Sequence, residues 1–379
     1  MPAESKFQPK EWLTTIIVGK KPTQYPSSEE EWDTLLKTAA INGVIALCHH
    51  QMTKTAVIEQ CPDWFCDELK KHTQRLAVSE MAQSHELKQV LAEFAQADIF
   101  PLLMKGAPLS YNLYPKPYLR ERCDTDMLFR DRDQANVARD LLEKRGYQQP
   151  NAVSGEFVSH QFACYRTTGM GVIHSLDMHW HLNNDHFFAS AFSYEEFVQH
   201  AIPIPSLGVS ARTLEPVHAL LLACMHRVGH LKGGTGNRLL WLYDIHLLAG
   251  QFSEKQWMVF EELTLERNLE SVCLDSIETT RKAFKTKIPE NILQTLRRKS
   301  RQGGYAPQNA NQIWQAQLMN LRSLPGWRAR IKLLREQFFP PSNYMLKKYQ
   351  IKYPVLLPAY YVLRIIQGIP KLFRNLKQS

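Results

Sequence analysis

The sequence predicts an α+β fold, a small mixed sheet flanked by N-terminal and C-terminal helical regions, and two observations predict it. Apolar residues recur every three or four positions up to about residue 97 and again after residue 213, as amphipathic helices require. Between these limits the apolar runs are short, alternate with polar residues and end at turn signals, in the order β-α-β-α-β-β. The expected organisation is therefore a helical region over 1–97, an α/β core over 98–212 and a helical region with a basic tail over 213–379.

The N-terminal helices are "EEWDTLLKTAAINGVIALCHHQM" and the long "DWFCDELKKHTQRLAVSEMAQSHELKQVLAEFAQA". "IFPLLMKG" is a strand stopped by Gly106, and "APLSYNLY" resumes as a helix. "CDTDMLF" alternates like a strand, and "DRDQANVARDLLEKRGYQ" is a helix with an aspartate at its start and Gly146 near its end. "HQFACYR" and "GVIHSLDMHWHL" are strands around the turn at 167–171. "LEPVHALLLACMHRVGHL" is the strongest later helix, and "RQGGYAPQNANQ" (301–312) is an expected exposed loop.

A chain of 379 residues, 44% hydrophobic and 22% charged, can bury a substantial core without staples. The seven cysteines are an odd number, lie in apolar stretches and include no CxxC, which fits a reducing cytoplasm. Cys48, His49, His50, Cys61 and Cys66 cluster, but at no standard zinc spacing, and buried thiols are common core residues.

The net charge of +9 is unevenly placed: residues 343–379 hold seven Lys or Arg and no acid, which leaves +2 for the remainder. Basicity confined to one segment argues against a nucleic-acid partner. The run "YPVLLPAYYVLRIIQGIP" is interrupted by Pro358 and Arg364 and falls short of the roughly 20 apolar residues of a spanning helix. Two readings of 343–379 remain: peripheral contact with an anionic membrane, or a helix packed on its own domain with a solvated basic face.

The stretch "MKGAPLSYNLYPKPYLRERCDTDMLF" carries the chemistry. On a strand Asp124 and Asp126 project from one face, and two close anions need a cation, for which Mg²⁺ or Mn²⁺ is the hard oxygen-seeking choice. Asp177, on another predicted strand, is the third carboxylate for a two-metal site, and His179 and His181 follow at spacings of two and four. They are expected to orient that acid or contact an acceptor, or else to be sheet residues under a helix; Trp180 faces the core. Gly106 lets backbone approach a phosphate, and Lys105, Arg120 and Arg122 supply cations suited to polyphosphate oxygens.

The order "LLMKGA", "LYPKPYLRERCDTDMLF", "LLEKRGY", "LDMHWHL" resembles an uncharacterised nucleotidyltransferase family of bacteria, over roughly residues 30–250, and that family is similar to the DNA-polymerase-beta-like nucleotidyltransferase superfamily. The resemblance implies that Asp124, Asp126 and Asp177 are catalytic and bind the metals. It places Lys105 and the Gly106-Ala107 turn at the triphosphate of a nucleotide, most simply ATP, with the acceptor unknown. The superfamily's turn is usually Gly-Ser; here Ala107 replaces the serine, and the nearest hydroxyl is Ser110, one helical turn on. Three functions follow: transfer of a nucleoside monophosphate, phosphoryl transfer at the same site, or nucleotide binding by an inactive scaffold at a membrane surface.

His226 and His230 are four apart and share a helix face with His218, but Arg227 stands where a zinc protease needs Glu. With Arg238 and Asp244 on the next helix they could close over the nucleotide or position the acceptor; the alternative is a buried network in which a histidine N–H satisfies Asp244. Tyr114 and Tyr118 either stack on a base or stiffen the loop around Pro115 and Pro117.

Overall fold

The computed structural model describes residues 7–150, 155, 157–301, 321–324 and 326–374, so most of the loop expected at 301–312 lies outside the described residues. Helices α1 (Pro9–Ile17), α2 (Glu29–Asn42), α3 (Ile45–Lys54) and α4 (Asp63–Gln96) precede the sheet. The N-terminal helical pattern divides at Gly43, whose φ of 68° is left-handed and is adopted without strain only by glycine.

The strands are β1 (Leu102–Met104), β2 (Thr125–Leu128), β3 (Gln161–Thr167), β4 (Ile173–His179), β5 (Ile202–Pro203) and β6 (Arg212–Thr213). They form one sheet in the order β3-β4-β2-β1-β6-β5. Strand β2 runs antiparallel to β1 and parallel to β4, with Asp126 opposite Met104 on one side and Asp177 on the other. The sheet is thus mixed and helix-flanked, the predicted α+β class. Strands β5 and β6, two residues each, are too short for any alternation to be read.

Helices α5 (Gly106–Asn112), α6 (Arg132–Lys144), α7 (His186–Ala189) and α8 (Tyr194–His200) lie between strands. Asp131 caps α6 by accepting from Gln134 N–H at 2.8 Å. After the sheet come α9 (Pro216–Gly229), α10 (Leu239–Gly250), α11 (Glu254–Glu266), α12 (Glu270–Phe284) and α13 (Glu290–Ser300). Finally there are α14 (Gly326–Phe338), α15 (Ser342–Lys348) and α16 (Leu357–Arg374).

Strand alternation divides the core. Leu103, Met127, Leu176 and Met178 pack on Leu87, Val90 and Phe94 of α4 and Ala138 and Leu142 of α6. Leu102, Met104 and Leu128 face the other way, onto a cluster that includes Leu220 and Leu221 of α9 and Phe260 of α11. Asp126, Asp177 and His179 share this second face, so the sheet presents them toward α9. A third cluster joins Trp12, Trp32 and Phe65 to Leu239, Leu240 and Tyr243 of α10. Asn42 fixes that junction: its Oδ1 accepts from Leu239 N–H at 3.0 Å, and the Arg238 guanidinium donates to the Ile41 carbonyl at 2.9 Å.

Helix α4 is tied to the loop before β2 by a buried ion pair. Arg122 donates to both Glu80 oxygens, Nε at 3.0 Å and Nη2 at 3.2 Å, and its Nη1 donates to Thr125 Oγ1 at 2.6 Å. Tyr111 donates to the same carboxylate. Removing one partner strands a buried charge, so Arg122→Met is expected to destabilise the protein by about 3–5 kcal/mol in urea unfolding. Glu80→Gln, which keeps an acceptor, should cost less.

Candidate active site

Asp126 and Asp177 lie opposite each other on adjacent parallel strands, and His179 is two residues beyond Asp177. One ligand atom from each of these three side chains falls within 4.8 Å of the others. Asp124 lines the same cleft but stands outside that group. Its expected place on the strand is corrected: β2 begins at Thr125, so Asp124 lies just before it.

The carboxylates are held at different charge. Burial alone would raise the Asp126 pKa, but Lys105 Nζ at 2.6 Å from Oδ1 and His179 Nε2 at 3.0 Å from the same oxygen hold it well below the usual range. Asp177 has no such cation, and burial followed by repulsion from Asp126 and Asp124 raises its pKa to about 6. Burial and then Asp126 raise Asp124 as well. An ionised Asp126 can only accept, so His179 Nε2 carries the hydrogen and the imidazole orients the carboxylate. Burial and Lys105 depress the His179 pKa, which keeps the ring neutral.

Oδ1 of Asp126 is occupied by two donors, and Oδ2 of Asp177 accepts from Gln161 Nε2 at 3.2 Å. Two carboxylates with free oxygens, partly desolvated and repelling each other, fit a hard divalent cation such as Mg²⁺ or Mn²⁺.

Lys105 joins strand to helix with φ of 54°, an uncommon conformation for a side chain other than glycine. Next to it, a Cβ on Gly106 would collide with Arg120 Nη1, with the guanidinium carbon 3.1 Å away. The turn glycine therefore admits Arg120, and a phosphate approaching the turn meets that cation. Arg120 is itself locked by Asp244, through Nη2 to Oδ2 at 2.7 Å and Nε to Oδ1 at 3.2 Å, and Tyr114 Oη donates to Oδ1 at 2.8 Å. Asp244 is thus satisfied by Arg120 and Tyr114, where the sequence suggested a histidine, and Tyr114 is a buried strut with no face free for a base.

The cleft over the carboxylates has a volume of about 490 Å³; Lys105, Gly106, Arg122, His226, His230 and Arg238 are among its walls. An adjoining cleft of about 430 Å³ is mostly apolar, with Leu109, Leu113, Leu214, Leu222, Ala223 and Leu248 in its lining. Lys105, Arg120, His226 and Trp241 line both. The His226, His230 and Trp241 rings pack 4.5–5.0 Å apart. Burial and then Lys105 push the His226 pKa far down, so a neutral imidazole faces the cleft.

Other expected residues lie elsewhere. Ser110 is fully buried and donates to the Ala107 carbonyl at 2.7 Å, and neither it nor Ala107 lines either cleft. Arg122 reaches the rim while bound to Glu80. Strand β4 ends at His179, so His181 leaves the face of Asp177 and packs on His160, ring centroids 4.5 Å apart. Sequence reading missed Gln161 and Trp241. Trp241 had a usable signal, being three residues before Asp244 on one helix face, whereas Gln161 acquires meaning only from the β3–β4 register.

A family model described as an uncharacterised nucleotidyltransferase matches residues 28–285, which include every cleft residue named above. No curated protein matches the chain.

Folded Asp177 holds its proton to about pH 6, while an unfolded aspartate releases it near pH 4. Without divalent ions the native state therefore loses stability as pH rises between these values. Asp177→Asn should flatten that fall and, at pH 7, stabilise the metal-free protein by about 1–3 kcal/mol in urea titrations. Gly106→Ala should displace the pinned Arg120 and cost about 1–3 kcal/mol in the same measurement.

Proposed function

We infer that this chain, which belongs to the uncharacterised nucleotidyltransferase family, transfers a nucleoside monophosphate from a nucleoside triphosphate, most simply ATP, to an acceptor hydroxyl or phosphate. The observation that carries the reading is the Asp126–Asp177 pair, in register on adjacent strands at the floor of a cleft rimmed by cations. A carboxylate pair so placed suits a family whose substrates are polyphosphates. Membership of the DNA-polymerase-beta-like superfamily is part of the same proposal.

Asp126 and Asp177 would hold Mg²⁺ or Mn²⁺, with Asp124 at the edge of the site. When bound, the ion supplies Lewis-acid activation of an attacking oxygen and charge neutralisation on the leaving pyrophosphate. The chain's own groups do the rest. Lys105, Arg120 and Arg238 set positive charge around the cleft, where it meets the triphosphate oxygens. Arg120 above Gly106 takes the part that a turn serine plays elsewhere, which answers the substitution by Ala107. His179 keeps Asp126 ionised and oriented. Asp177, ionised above about pH 6 even without the metal, would be the carboxylate to receive the acceptor's proton. The apolar cleft beyond Lys105 and His226 gives room for the remainder of one substrate.

Incubation with ATP labelled separately at the α- and γ-phosphates, with Mn²⁺ and a mixture of small hydroxylated acceptors, tests the proposal. Label should move from the α position, and Asp126→Asn should lower the rate by about 10³-fold or more. Movement of γ label would assign phosphoryl transfer instead, and tight ATP binding with no transfer would mark an inactive nucleotide-binding protein.

A further inference from the structure

Large apolar side chains exposed to water are concentrated at one end of the chain: of twenty-two among the described residues, eleven fall between Trp327 and Ile366. The pattern on α14 is ordered. Leu333 is buried, Glu336 on the same side accepts from the backbone N–H groups of Phe157 and Val158 at 2.8 and 3.0 Å, and this face docks the helix. Trp327, Ile331, Leu334 and Phe338 are 66%, 55%, 37% and 40% exposed. Advancing about 100° per residue, these four lie within about 60° of one another and opposite Leu333. Arg330 borders the stripe on one side, and Arg328 and Arg335 border it on the other, while Lys332 lies toward the docked face with its ammonium over the Phe157 ring.

Helix α16 also exposes apolar groups, Val362, Leu363 and Ile366 by 56%, 40% and 57%, after Val355 in the preceding turn at 83%. The two helices touch: Arg364 donates to the Gln337 carbonyl at 3.3 Å, and the Phe339 and Tyr361 rings are 5.7 Å apart. Residues 326–374 contain ten Lys or Arg and a single acid, Glu336, which is the docking carboxylate. Among the described residues no helix is long and apolar enough to cross a membrane.

We propose that α14 and α16 form an interfacial surface that binds an anionic phospholipid bilayer, the apolar stripes entering the headgroup boundary and the flanking Arg and Lys side chains meeting lipid phosphates. The surface begins at residue 326, ahead of the 343–379 tail that composition singles out. A stripe of aromatic and branched apolar groups bordered by bases matches the cross-section of such an interface, apolar within and anionic at its edge. The charge selects the occupant: a neutral apolar partner would leave the bases unmatched. The proposal does not depend on the reaction at the cleft.

Flotation of the full chain with phosphatidylcholine vesicles, and with the same vesicles containing phosphatidylglycerol, tests it. Co-flotation with the anionic vesicles, weakened by salt, is expected. Arg328→Gln and Arg335→Gln should each lower partitioning roughly fivefold, at about 1 kcal/mol per basic residue near the surface. Trp327→Ser with Ile331→Ser should abolish it, while circular dichroism and melting temperature stay unchanged because these side chains are exposed. Equal partitioning onto both vesicle types, or partitioning indifferent to these variants, would overturn the proposal. So would a wild-type dimer that Trp327→Ser dissolves, since the stripe would then be a contact between copies of this chain.

Discussion

Repulsion between Asp126 and Asp177 is the constraint around which the centre of the molecule is arranged. Register places them side by side, partly out of water, where two like charges are unfavourable. The fold meets this asymmetrically. Asp126 receives an ammonium and an imidazole on one oxygen and stays charged; Asp177 receives a neutral amide and keeps a raised pKa. In the proposed function a divalent cation bound between the two carboxylates would relieve this repulsion.

The surrounding elements follow from keeping that pair accessible and electrostatically balanced. Lys105 reaches Asp126 from the end of β1 by adopting positive φ, and the glycine after it leaves room for Arg120. Arg120 is fixed by Asp244 of α10, and the start of that helix is held by Asn42 of α2, which accepts from Leu239 N–H. Helix α10 therefore connects the N-terminal helices to the cleft, held by buried polar groups at both points. The charges among these groups are expensive to desolvate and gain their value from being paired, so what they contribute is position.

The basic surface and the cleft are separate features. The cleft's positive groups answer its own carboxylates, and the excess charge that makes the whole chain +9 resides mainly beyond the sheet and its covering helices. The family match ends at residue 285, before α14 and α16, so this region is additional to the part that carries the cleft.

The sequence by itself determined the α+β class, the four longer strands with the helices between them, and the common face of Asp177 and His179, because a strand's period of two is a local property. Local pattern also marked Gly106 and the basic C-terminal segment. Tertiary structure decided what those residues touch. Arg120, Arg122 and Asp244 read as cleft groups from their types, but their partners lie 124 or 42 positions away and depend on how helices pack on the sheet. Asp124 and His181 share the two-residue spacing of their neighbours and still depart from them, since β2 begins only at Thr125 and β4 ends at His179, boundaries that spacing along the chain does not mark.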